Sequence, residues 1–362
     1  LLYLILLLWF SESIFNYNKT IKKGELKKVS VVIAARNEEK NLINLYNFLD
    51  NQIYPKELTE IIIVDDKSID NSFEILQKLS KKNKIKAIRI KKTPIGWASK
   101  KWALTQGIES ATGEIIMQTD ADCQLHPNWI ASVVNQFHND SIIFVSSPSL
   151  LKQSNSKLLN QLFYLDSLAQ DAFSAGSVLN NIPLSSVGRN IAFYQKHFLD
   201  INGYQNIEDI DSGDDDLFMH RLLNLKSGEA TFLLDSNAIV WSEAPLNFLE
   251  FAKQRLRYAS KGIIYYKMSF INNYFKTIVP FLFLINLMVM ICLIRFGETG
   301  QSSLMVPLVL KFFADFILLY VITKKLKLAL NIKYVILLSF IHPFYIVIFG
   351  FLGPLVQVKW KK

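Results

Sequence analysis

Three long apolar runs, Ile278–Ile294, Leu304–Ile322 and Tyr334–Val356, fill most of the last third of the sequence. Each is near the length that crosses the hydrocarbon layer of a bilayer. Short polar or basic links separate them, so three membrane helices in succession are a better reading than three buried core helices. Leu1–Phe10 is also almost wholly apolar, but too short to span, and it begins without a Met. Residues 1–18 therefore read as the remnant of an N-terminal membrane anchor. A signal peptide fits less well, because no small-residue cleavage site follows. Lysines cluster beside these segments, from Lys19 to Lys28, Lys324 to Lys327 and Lys359 to Lys362, in a chain of 362 residues with net charge +9. That placement matches an anionic lipid surface and argues against nucleic acid as the partner. The two cysteines, Cys123 and Cys292, lie in different regions and form neither a disulfide framework nor a zinc motif.

The first half has a different pattern. Val29–Ala34, Glu60–Val64, Ile85–Ile90 and Glu114–Thr119 are short, mostly apolar and β-branched, as buried strands are. Between them, Asn37 and the glutamates after it open a helix to about Asp50, Asp70 caps another to about Leu79, and Lys100–Ser110 forms a third. Strands alternating with helices predict an α/β fold with a doubly wound, mainly parallel sheet. Ligands of such sheets sit beyond the carboxyl ends of the strands, where Asp65, Asp66, Asp120 and Asp122 fall. The chain has neither G-x-G-x-x-G nor a Walker A loop, which excludes NAD and ATP in their usual cradles. Further on, Pro127–His138, Leu158–Ala175 and Asp214–Leu223 read as helices. Leu246–Met268 mixes apolar residues with Lys253, Arg255, Arg257, Lys261 and Lys267, the make-up of a helix lying in a bilayer surface.

Asp120-Ala121-Asp122 closes a strongly apolar strand. Two carboxylates one residue apart at such a lip must be solvated, paired or bound to a cation. A hard divalent ion carrying a phosphate group is the natural partner. Asp214-Asp215-Asp216 forms a second acidic group, where one residue can cap a helix and like-charge coupling would raise at least one pKa. No histidine among His126, His138, His197, His220 and His342 has ligand spacing, and Trp97, Trp129 and Trp241 read as core.

Residues 29 to about 260 resemble a family 2 glycosyltransferase. Val31-Val32-Ile33-Ala34-Ala35-Arg36-Asn37-Glu38-Glu39 resembles the family's first strand and Asn-Glu turn, and Ile63-Val64-Asp65-Asp66-Lys67-Ser68-Ile69-Asp70 its second strand. Gly96-Trp97, Lys100 and Ala103-Leu104 resemble its next helix, and Asp120-Ala121-Asp122 its D-x-D motif. Gly213-Asp214-Asp215-Asp216 is similar to its catalytic-base motif, with Asp214 where Glu is common. Gln254-Arg255-Leu256-Arg257-Tyr258, after Glu243-Ala244-Pro245, is similar to its Q-x-x-R-W segment, with Tyr258 for Trp. Each motif alone is weak; six in family order are specific.

The resemblance implies a GT-A fold, a Rossmann-like mixed sheet with C-terminal transmembrane helices. It implies a catalytic domain over 27–245, a basic interfacial region over 246–276 and transmembrane helices over 277–357. It further implies an inverting transfer from a nucleotide-diphosphate sugar, UDP-linked or GDP-linked, to a hydroxyl of a lipid or glycan acceptor. Asp215 is the expected base, with Asp214 beside it. Ala35, Glu38, Asp66, Lys100 and Asp120 are the expected donor-binding residues. Asp66 would accept from the nucleobase, Lys100 would touch the diphosphate, and Lys101 reads as a solvated neighbour. Glu38 either positions the nucleoside or is a solvated first-turn acid favoured by the helix dipole. Asp122 would hold Mg²⁺ or Mn²⁺, with Asp120 on the metal or the ribose. Arg189, Gln254, Arg257 and Tyr258 are expected at the acceptor or the leaving pyrophosphate. An integral membrane protein with a cytosolic catalytic domain follows, because sugar nucleotides are cytosolic. A break at His342-Pro343 would make the last apolar segment re-entrant and return the basic tail to that side. A processive polysaccharide synthase, or a binding scaffold without catalysis, shares the same motifs.

Overall fold

The computed structural model describes residues 1–18, 24–82, 84–153 and 158–356. The expectations for Lys19–Lys23 and for the lysines at 359–362 lie outside the described residues. Along the chain, α1 (Leu2–Asn16) precedes β1 (Val29–Ala35), α2 (Leu42–Asp50), β2 (Thr59–Asp66), α3 (Ser72–Lys81), β3 (Lys86–Ile90), α4 (Ser99–Glu109) and β4 (Ile115–Gln118). Next come β5 (Gln124–Leu125), α5 (Trp129–Val134), β6 (Ile142–Ser146), β7 (Ser149–Leu151), α6 (Leu158–Leu179), β8 (Ile191–Tyr194), α7 (Gln195–Asp200) and α8 (Asp216–Leu225). The chain continues through β9 (Glu229–Phe232), β10 (Val240–Ser242), α9 (Phe248–Ala259), α10 (Gly262–Lys267), α11 (Asn273–Thr299), α12 (Val306–Leu326) and α13 (Ile332–Leu352). Two compact units result: an α/β unit built on Asn18–Leu150 and Ser186–Glu243, and a helical unit of Leu1–Tyr17, Leu151–Ser185 and Ala244–Val358.

The α/β unit is built on a seven-stranded sheet of order β3-β2-β1-β4-β8-β6-β9. All seven residues of β1 are buried, as expected of a strand covered by helices on both faces. Helix α4 lies close on that sheet because Gly107 has no side chain: a Cβ there would stand 2.5 Å from Val32 Cγ1. The sheet is less uniformly parallel than the strand-helix alternation implies. Strands β3, β2, β1 and β4 run parallel, but β8 is antiparallel to both β4 and β6. The helix expected from Asn37 begins only at Leu42, after Asn41. Asn37 itself is left-handed, with φ 56°, and its side-chain oxygen accepts the Ile69 N–H at 2.9 Å. A residue held in that conformation cannot start an α-helix.

In the helical unit, Tyr3, Leu7, Phe10 and Ile14 form the buried stripe of α1, at helical spacing. Phe10 rests on Gly176 of α6, where a Cβ would lie 2.4 Å from the Phe10 Cβ. The Tyr3 hydroxyl donates to Asp315 of α12, which also accepts from Lys311 one turn earlier. On α6, Asp166 accepts from Arg255 of α9 and from the Tyr345 hydroxyl of α13. Helices α11, α12 and α13 are each long and apolar enough to cross a membrane. Helix α13 runs through Pro343 without interruption, so the expected break at His342-Pro343 is absent. A proline deletes one donor and leaves the remaining turns of an apolar helix bonded. The amphipathic stretch from Leu246 divides into α9 and α10 around Ser260-Lys261.

Candidate active site

The reversed direction of β8 builds the site. Gln118, at the carboxyl end of β4, pairs with Ile191, at the start of β8. Residues after β4 and residues before β8 therefore emerge at the same edge of the sheet. Asp120 and Asp122 come from the first group, Gly188, Arg189 and Asn190 from the second. The carboxyl ends of β1 and β2, at Ala35 and Asp66, open on the same edge, with Ala35 opposite Asp65 in register.

Lys100, in the first turn of α4, ties the acids together. Its ammonium lies 3.1 Å from Asp120 Oδ1 and 2.9 Å from Asp214 Oδ2. Burial works against charge on this lysine, but the two carboxylates outweigh it and hold its pKa well above the ordinary value. Asp214 shows the mirror effect. Burial pushes its carboxyl up, and the Lys100 ammonium more than offsets this, leaving it below the usual carboxylate range. The like-charge coupling expected among the three aspartates is therefore overruled at Asp214 by a buried cation.

Asp215 is the N-cap of α8: its Oδ1 accepts the Asp216 N–H at 2.8 Å. Its Oδ2 accepts the Gly188 N–H at 2.9 Å. A carboxylate oxygen can accept more than one hydrogen bond, so capping a helix does not by itself bar a carboxylate from accepting a proton. Gly213 enters this turn at φ +85°, a region that disfavours side chains.

Asp66 is fully buried at the end of β2. Ser99 donates to its Oδ1 at 3.1 Å, Lys67 Nζ is 3.2 Å from that oxygen, and an Arg36 nitrogen is 3.8 Å from Oδ2. These three partners escaped the motif reading. Their signal in the sequence is that Arg36 and Lys67 each stand directly after a strand. Two loops beside Asp66 are laced together. Asn37 N–H donates to Ser68 Oγ at 2.9 Å, Glu38 N–H to Ser72 Oγ at 2.8 Å, and Glu39 N–H to Asp70 at 3.2 Å. Glu38 is itself buried and accepts from Asn41 at 2.6 Å, so it is not the solvated acid of one of its two readings. Asp65 faces Arg89 at 3.6 Å, and burial pushes its carboxyl up.

Other residues land elsewhere than expected. Lys101 is buried, not solvated, and donates to the Ile207 carbonyl. The Arg189 guanidinium donates to Ser242 Oγ and, at 3.4 Å, to the Ser149 carbonyl. Asn190 carries Trp129, the buried tryptophan, whose indole donates to it at 2.9 Å. Gln254, Arg257 and Tyr258 lie on α9 of the helical unit, where Arg257 stacks over the Tyr258 ring at 5.2 Å.

The donor set suits a hard cation. Asp120 and the exposed Asp122 offer carboxylate oxygens on either side of Ala121. Cys123, next in line, is held as a neutral thiol by burial, so it supplies no soft ligand. Among the described residues no three His, Cys, Asp or Glu form a ready metal cage. Two carboxylates completed by phosphate oxygens and water are what Mg²⁺ or Mn²⁺ needs.

The model of glycosyl transferase family 2 matches residues 30–193, and that of glycosyl transferase family group 2 matches residues 115–352, more than half the chain. The chain is 33% identical over 151 residues to a dolichol-phosphate mannosyltransferase of Pyrococcus furiosus, covering 42% of this chain and 41% of that protein. It is 36% identical over 128 residues to a beta-monoglucosyldiacylglycerol synthase of Nostoc, covering 35% of this chain and 27% of that one. The chain thus spans well under two thirds of the length of these relatives. Among solved structures, the mannosyltransferase PcManGT of Pyrobaculum calidifontis, in complex with GDP-Man and Mn²⁺, superposes with a TM-score of 0.60 over 98% of this chain and 94% of that one. At 15% identity that likeness is one of fold, and it establishes the mixed sheet as the GT-A type. With its motifs in order, its sheet of this type and a family match running from β4 into α13, the chain belongs to the family 2 glycosyltransferases.

Proposed function

We propose that this chain is a membrane-bound, inverting glycosyltransferase. It moves a hexose from a nucleotide-diphosphate sugar, UDP-linked or GDP-linked, to a hydroxyl of a lipid or glycan acceptor. The observation that carries this reading is the meeting of Asp120, Lys100, Asp214 and the Gly188–Asp215 bond at one sheet edge. Relatives whose names carry a lipid, as substrate or as product, and three helices able to cross a membrane support a lipid-linked acceptor. The catalytic unit then faces the cytosol, where sugar nucleotides are made.

In this reading Asp66, with Ser99 and Lys67 around it, receives the nucleobase edge, flanked by Ala35 and Glu38. Lys100 neutralises charge on the diphosphate. Asp122 and Asp120 would hold Mg²⁺ or Mn²⁺, which when bound stabilises the departing diphosphate. Asp215 takes the proton of the acceptor hydroxyl as its oxygen attacks the anomeric carbon. The bond from that carbon to the diphosphate breaks, and nucleoside diphosphate leaves with the electron pair. Arg189, and Gln254, Arg257 and Tyr258 on α9, are assigned to the acceptor or the departing diphosphate.

The test is release of UDP or GDP by purified full-length protein, supplied with Mn²⁺ or Mg²⁺, a panel of hexose donors and a membrane lipid extract. Release that disappears in Asp215→Asn, with an inverted anomer in the product, is expected. No release from any donor would leave a binding scaffold as the better description.

A further inference from the structure

The two bonds of Lys100 have a consequence for how the site loads, given the reading of this edge as a donor site. The ammonium is already within 3.1 Å of Asp120 Oδ1 and 2.9 Å of Asp214 Oδ2. A divalent cation binds a carboxylate oxygen at about 2.0–2.1 Å, so on that oxygen it would stand within roughly 5 Å of the ammonium. Two cations that close repel strongly in a partly dry site. The lysine side chain is only 15% exposed and leaves the first turn of a rigid helix, so solvent offers it little alternative. An ammonium has three donors and no directional fork, so it can trade one anionic partner for another while keeping the second.

We propose that Lys100 is an exchangeable counter-ion of the donor site. Without donor it occupies Asp120. When a diphosphate arrives, Lys100 keeps Asp214, passes its other bond from Asp120 to a phosphate oxygen, and so releases Asp120 for the divalent cation. The cation therefore enters together with the nucleotide and binds weakly to the empty site. Lys100 sets that order, and Asp214 is the fixed point on which it pivots.

Binding of Mn²⁺ alone, followed by the loss of its free-ion paramagnetic resonance signal, reads this without turnover. For the intact wild-type protein, UDP or GDP is expected to tighten Mn²⁺ binding at least tenfold. Lys100→Met keeps the apolar stem and removes the charge. It is expected to bind Mn²⁺ without nucleotide at least tenfold more tightly than wild type, and adding Asp120→Asn is expected to reverse this. If wild type binds Mn²⁺ as tightly alone as with nucleotide, or if folded Lys100→Met binds it no better than wild type, the inference is overturned while the donor-site reading stands. If neither UDP nor GDP binds the wild-type protein at all, with or without Mn²⁺, both fall. The wild-type comparison decides the matter even if Lys100→Met does not fold.

Discussion

The Gly188 backbone N–H donates to Asp215 Oδ2 at 2.9 Å, joining the loop that enters β8 to the cap of α8. The bond is close because Gly188 carries no side chain: a Cβ there would lie 3.2 Å from Asp214 Oδ2 and 3.4 Å from Asp215 Oδ2. Gly188→Ala is expected to displace both carboxylates by a few tenths of an ångström. Because catalysis is steep in the placement of a reacting group, kcat should fall about tenfold or more. The melting temperature should move by only a few degrees. Steady-state kinetics beside a thermal melt would check this, and unchanged kcat would remove Asp215 from the reacting geometry.

Asp214→Asn leaves the half-buried Lys100 with one carboxylate in place of two. Removing one partner of a buried ion pair costs about 3–5 kcal/mol, and less is expected here because Asp120 remains. The sign with pH follows from the shifts. Asp214 has its folded pKa depressed, so its contribution is present above the unfolded value near 3.8 and is lost as pH falls through the folded one. Lys100 has its folded pKa raised, so its contribution is present below 10.5 and is lost only at still higher pH. The difference in melting temperature between wild type and Asp214→Asn should stay constant from about pH 5 to 9 and shrink below about pH 4.

Lys100 and Lys101 are adjacent, yet their replacement should read differently. Lys101→Ala removes a buried stem and the donor to the Ile207 carbonyl. A loss of about 2–4 kcal/mol is expected, seen as a lower denaturant midpoint. A solvated lysine at this position would give no measurable change.

In the helical unit, Asp166→Ala should loosen α9. Asp166 accepts from both Arg255 and Tyr345, and its loss leaves the half-buried Arg255 guanidinium with Gln170 at 3.2 Å as its remaining side-chain acceptor among the described residues. The cost is about 3 kcal/mol. Faster amide hydrogen exchange over residues 248–259 would report it. Asp166→Glu should restore part of the protection.

Much of this site was legible because its residues end strands. Asp66 and Asp120 each follow a run of buried apolar residues, and that pattern alone places them at the carboxyl edge. The direction of β8 was not legible, since Ile191–Tyr194 carries the same apolar pattern whichever way it runs. Lys101 was misread because adjacent residues on a helix differ by 100°, and nothing local shows which one faces the core. The late start of α2 was hidden for a similar reason. The bonds that hold Asn37 left-handed come from residues 68 and 69, beyond any local window.

One reversed strand divides the labour of this sheet. In its parallel half, from β3 to β4, the loops lead from β1, β2 and β3 to helices and from β4 to the short strand β5. Because β8 runs the other way, the loop that meets them is of the helix-to-strand kind and is anchored by different neighbours. Substitutions or insertions ahead of Gly188 can then accumulate without straining the turns after β1, β2 and β4. A scaffold of this kind lets the side that enters β8 vary in sequence while the side that ends β1, β2 and β4 stays fixed.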